Sequence, residues 1–146
     1  MYDTVKLLHS YWAYLVLLIL VLATFNAIIK FIGKKEFHAK DFRMSLFTLI
    51  VIHIQLLIGI VVFFTSDYLN LISDMGMGSI MKNSELRSKI IEHPFTMILV
   101  VVLITIGYSK QKKKLTSISK FKTISIFYGL SLLLVLAKIP WNTWFS

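Results

Sequence analysis

The chain of 146 residues has no cysteine, which excludes disulfides, thiolate metal sites, iron–sulfur clusters and a covalently attached c-type haem. Only histidine, methionine, carboxylate or tyrosine is left to ligate a metal. Asp and Glu together number 7 against 16 Lys and Arg, and carboxylates are scarce within the apolar stretches. That scarcity argues against an ion-driven transporter, which keeps an acidic group at depth. No nucleophile–base constellation can be read. No GxxxG pair is present either, although Gly59, Gly107 and Gly129 stand where helices would approach closely.

What the chain has in abundance is apolar length. Its apolar content of 57% exceeds the roughly 45–50% of a soluble domain, and about 20 residues suffice to cross a bilayer as helix. Four spans are predicted, over about 11–32, 44–65, 92–109 and 122–140. They use up the chain as a single transmembrane domain, an all-α four-helix bundle. Lys30, Lys34 and Lys35 follow the first apolar run and no clean small-residue cleavage site ends it, so it is expected to stay rather than act as a signal peptide. The third span has a possible earlier start at the amphipathic stretch after Ser84, a candidate N-cap, with Pro94 expected to kink or break the helix at His93. Trp141 and Trp144 suit an interfacial belt after the fourth span.

Lys30, Lys34, Lys35, Lys40 and Arg43 fill the first connection, and Lys110, Lys112, Lys113, Lys114, Lys120 and Lys122 the third. The positive-inside rule assigns both to the cytoplasm and both termini to the periplasmic side of a bacterial inner membrane. A net charge of +9 would suggest nucleic acid in a soluble protein, but here the cations flank apolar spans and read as a topology signal. The second connection carries near-balanced charge and turn residues.

Four histidines carry the candidate chemistry. His9 and His93 precede the first and third apolar runs, so both are expected at the same height near the outer face and able to face each other. At about 100° per residue His9 shares a helix face with Ala13, Ala23 and Ala27, and His93 with Met97, Val100, Ile104 and Gly107. Two imidazoles on separate helices can hold a haem iron by both axial positions. Lys138 enters the same layer, where it would meet haem propionates or simply snorkel. Glu92 is placed to orient His93 or to meet solvent. The bland reading is that both histidines are interfacial and His93 only ends a helix.

His53 falls mid-span, where an unsatisfied polar group is costly. Its face holds Leu46, Leu49, Leu57, Ile60 and Phe64, while Gln55 shares a nearly opposite face with Thr48 and Gly59. Periodicity does not decide which face looks inward. Asn26 is a candidate hydrogen-bond partner for His53, and axial ligation or proton relay is the functional alternative. His38 lies in a basic loop and is expected to be solvated. Tyr108, Tyr128 and Ser131 are assigned to packing.

The segments LLHSYWAYLVLLILVL, FTLIVIHIQLLIGIVVFF, ELRSKIIEHPFTMILVVVLITIGYSKQKKKL and LAKIPW resemble a small bacterial family of four-span membrane proteins labelled cytochrome b-like. The resemblance implies a haem-associated bundle and carries His9, His53 and His93 as its histidines. More faintly, LIVIHIQLLIGIVV is similar to one four-helix half of haem A synthases. The expectation is therefore a membrane b-type haem protein that transfers electrons near the periplasmic face to a membrane or periplasmic redox partner. The alternatives are a cofactor-free accessory or structural subunit of a larger complex and a protein that handles haem itself.

Overall fold

The computed structural model describes residues 1–139; Pro140, Trp141 and Trp144 lie outside that range. Four long helical stretches are each long and apolar enough to cross a membrane: Tyr2–Ile32, Ala39–Thr65, Ser84–Lys113 and Ser117–Lys138. The first is α1 (Tyr2–Ile32) and the second α2 (Ala39–Thr65). Three short helices follow: α3 (Tyr68–Met75), α4 (Met77–Lys82) and α5 (Ser84–Arg87). A π-turn (Ser88–Glu92) joins α5 to α6 (His93–Lys113), and α7 (Ser117–Lys138) ends the described chain.

The helices outrun the apolar cores within them because helix needs only satisfied backbone groups, while the apolar cores are set by contact with lipid. Local caps mark several of the helix starts. At the start of α2 the backbone N–H of His38 donates to Asp41 Oδ2 at 2.9 Å. Before α7 the hydroxyl of Thr116 accepts from the backbone of Ser119 at 3.2 Å. The cap ahead of α5 is Asn83, not Ser84: its side chain accepts from the N–H groups of Glu85 and Leu86.

Neighbouring spans run antiparallel in the order α1–α2–α6–α7 around a square. Contacts join α1 to α2, α2 to α6, α6 to α7 and α7 back to α1, with the α2–α6 seam the least extensive. Accordingly, α1 and α6 face one another across one diagonal, and α2 and α7 across the other. One end of the bundle, here the terminal end, carries Met1, the α2–α6 connection and Lys138. The opposite end carries the two lysine-rich connections.

Inside, Leu20, Val51, Val100, Ile104 and Ile124 are buried with Phe121 and Tyr128. Outside, Leu18, Leu22, Phe47, Leu57, Ile98, Val102 and Leu133 are exposed large apolar residues. Helices apolar on both faces suit a hydrocarbon solvent, where the interior is no greasier than the surroundings. Polar side chains therefore do much of the joining. Tyr128 donates to the carbonyl of Ser45 at 2.8 Å across the α2–α7 diagonal, and Trp12 Nε1–H donates to the carbonyl of Val51 at 2.8 Å. At the lysine-rich end, Phe37 N–H donates to Ser117 Oγ at 2.8 Å and ties the two basic connections together.

Candidate functional site

His9 and His93 come together at the terminal end. Their ring centroids lie 6.4 Å apart and the ring planes are nearly perpendicular at 82°. The rings reach across the diagonal from α1 and α6. Local sequence explains the placement on both sides. On α1, the alanines sharing the His9 face let it turn inward, and Ala23 and Ala27 are buried. On α6, Val100 and Ile104 are buried below His93 on its own face.

Pro94 does not end the helix at His93. It has no N–H, and its ring would press on the carbonyl four residues back in a regular helix. The widened π-turn over Ser88–Glu92, closed by the His93 N–H donating to the carbonyl of Ser88, accommodates that constraint while the chain continues into α6. Such single π-turns are frequent at functional sites.

The surroundings of the two imidazoles differ. His93 Nδ1 lies 3.1 Å from the carbonyl oxygen of Lys138. A carbonyl only accepts, so Nδ1 carries the proton and Nε2 keeps its lone pair. His9 rests against α2, where its Cε1 lies 3.3 Å from the point a Cβ on Gly59 would occupy. Gln55 holds the same level by donating to the carbonyl of His9 at 2.9 Å. His9 Nδ1 and Gln55 Oε1 are both buried without a hydrogen-bond partner. Gly59 and Gln55 are thus the supporting residues on α2 that histidine spacing alone did not single out for this site.

A charged network lies beside the pair. Lys138 Nζ donates to Glu92 Oε1 at 2.9 Å, and Arg87 Nε donates to Glu92 Oε2 at 2.7 Å. Glu92 therefore bridges two cations and leaves the orientation of His93 to the Lys138 carbonyl. Arg87, which the sequence reading did not single out, is a second cation in this layer; its position depends on the turn between α5 and α6.

His53 stands elsewhere. It is exposed on the outer side of α2, while Thr48 is fully buried and Gln55 turns inward toward α1. Its Nδ1 lies 2.7 Å from the carbonyl of Leu49 and its Nε2 3.5 Å from Thr105 Oγ1 on α6. Asn26 is not its partner: the Asn26 amide donates to Asp41 Oδ1 at 3.0 Å. Lys30 Nζ meets the same oxygen at 2.6 Å. The Asp41 side chain is only 2% exposed, a buried carboxylate overlooked in the sequence because it sits among lysines. His38 is exposed in its connection.

Among the described residues no group of three or more His, Asp or Glu is arranged to hold a metal ion. The architecture is that of a multi-pass helical membrane bundle. No protein-family model, curated protein or solved structure matches the chain.

Proposed function

We propose that this is a protein of the bacterial inner membrane that holds one haem b between His9 and His93, near the periplasmic face, and passes electrons between membrane or periplasmic partners. The meeting of two imidazoles from separate helices carries the reading: His9 and His93, with ring centroids 6.4 Å apart, are the residues that would hold the haem.

The hydrogen bonding supports the same assignment. Ligating histidines use their second nitrogen to fix tautomer and orientation, and His93 does so through the Lys138 carbonyl. His9 Nδ1 has no such partner, and Gly59 keeps the wall beside that ring free of a side chain. Lys138 and Arg87 offer cations for carboxylate groups at this end, with Glu92 neutralising them otherwise. Bound here, the haem would supply one-electron chemistry. The lysine-rich connections favour an orientation with this end outward.

The test is the optical spectrum of detergent-purified protein from haem-replete cells. A Soret band is expected, lost in His9→Ala and in His93→Ala and retained in His53→Ala. A colourless, folded wild-type protein overturns the assignment. It would favour a second reading, a cofactor-free accessory subunit, which draws on the Arg87–Glu92–Lys138 network closing the terminal end by itself. A stable large assembly in mild detergent would then be the supporting result.

A further inference from the structure

Gln55 has one hydrogen-bonding atom that the fold fixes and one that it leaves open. Its Nε2 donates to the carbonyl of His9 at 2.9 Å, and because a carbonyl only accepts, the amide nitrogen has to face it and Oε1 is the atom left over. That oxygen is buried without a partner, and so is Nδ1 of the same His9. Among the described residues the other unpartnered buried side-chain atoms are on Thr24, Gln111 and Ser125, about 20 Å or more from this layer along their helices at ~1.5 Å per residue. The two open atoms therefore have each other.

The ring is turned the right way for this. A Cβ on Gly59 would lie 3.3 Å from His9 Cε1 and 3.8 Å from His9 Nδ1, so the Nδ1 edge of the imidazole faces α2, and Gln55 stands one helical turn from Gly59 on the same face of that helix. The two side chains already interact through their hydrogen-bonding groups, short of full hydrogen-bond geometry. A small turn about the last side-chain torsion of His9, which is broad in histidine, closes the contact. Oε1 only accepts, so Nδ1 has to bring the proton; two lone pairs facing each other in a buried layer would leave both groups unsatisfied.

We propose that Gln55 is a positioning residue for His9: its Oε1 accepts from Nδ1–H and fixes the lone pair of that imidazole on Nε2. His93 carries the same tautomer through a different partner, the Lys138 carbonyl. Two histidines from α1 and α6 thus meet with matched Nε2 lone pairs, one set by α2 and the other by α7, and all four spans take part in the site. What this means for a bound group rests on the haem reading, in which both imidazoles would ligate through Nε2. The tautomer itself needs no haem, so the two readings can fail separately.

The experiment reads the tautomer directly. The full chain, carrying histidine labelled with the heavy nitrogen isotope, is prepared in detergent from cells blocked in haem synthesis and studied by nitrogen NMR at mildly alkaline pH, where imidazoles are neutral. His9→Ala and His93→Ala assign the two sets of signals. His9 is expected to carry its proton on Nδ1. In Gln55→Leu, which keeps the bulk and removes the acceptor, that pattern should be lost while the His93 pattern stays; in Gln55→Glu, which retains an acceptor oxygen, it should be kept. A wild-type His9 protonated on Nε2, an unchanged His9 pattern in Gln55→Leu, or its loss in Gln55→Glu overturns the inference. So does a change of the His93 signals alongside those of His9 in Gln55→Leu, since that marks a general loosening of this end rather than one contact. In haem-replete cells Gln55→Leu should also weaken haem retention about 10- to 100-fold, the usual worth of such a supporting partner, while Gln55→Glu holds it. A colourless wild type would overturn the haem reading and leave the tautomer result standing.

Discussion

Asp41 carries the tightest ion pair of the chain among the described residues, with Lys30 Nζ at 2.6 Å. A carboxylate that is 2% exposed depends on its partners, while Lys30, 22% exposed, has a stem long enough to bring its ammonium to the interface. Removing the cation should therefore do more harm than removing the anion. Lys30→Ala is expected to cost about 2–3 kcal/mol by leaving the Asp41 carboxylate with only the Asn26 amide and the His38 N–H. Asp41→Asn, which keeps a polar side chain and frees the lysine, is expected to cost about 1–2 kcal/mol. Denaturant titration in detergent checks the order. A second contrast concerns glycines. A Cβ on Gly107 would lie 2.5 Å from Phe127 Cβ, whereas one on Gly129 would find its nearest neighbour, a Thr24 methyl, at 3.8 Å. Gly107→Ala should lower stability by about 1–3 kcal/mol, as overpacking does, and Gly129→Ala should be close to neutral in the same titration.

The element that matters most to the candidate site is the stretch from α5 through the π-turn into α6. Pro94 removes one backbone donor, and the wider turn before it sets how His93, Arg87 and Glu92 are disposed around the helix. In Pro94→Ala the donor returns and a regular α-turn becomes available, which would rotate Arg87 relative to His93. Helicity by circular dichroism should hold, while haem content falls below that of the wild type. Unchanged haem content would mean that the turn accommodates proline and does nothing more. The same helix-level logic applies to α2. Thr48, Gln55 and Gly59 face its neighbours within the bundle and His53 faces outward, so His53 and Gln55 serve different surroundings although only two positions separate them.

For the molecule as a whole, the square arrangement puts the His9–His93 pair at one end and the Asp41–Lys30 pair and the basic connections at the other. If the lysine-rich end is cytoplasmic, a membrane-impermeant maleimide added to intact cells, with the outer membrane permeabilised where one is present, should label Asn70→Cys and leave Lys113→Cys unlabelled. The absence of native cysteine makes each variant a clean reporter. The reverse pattern would place the histidine pair toward the cytoplasm and change the class of electron partner it could serve.

Residue content and spacing were enough to determine the four apolar helices, the antiparallel alternation and the shared height of His9 and His93, because these depend on the number of apolar residues needed to cross hydrocarbon and on rise per residue. The inward turn of His93 with Val100, Ile104 and Gly107 was legible for the same reason. Which face of α2 looks inward was not, since a span between lipid and an apolar core is apolar on both sides and carries little periodic contrast. Nor could local sequence assign Asn26 to Asp41, set Glu92 between Arg87 and Lys138, or bring the Lys138 carbonyl to His93. Those pairings are long-range consequences of which helices are neighbours and how they are rotated, and that is decided only when the four spans pack against one another.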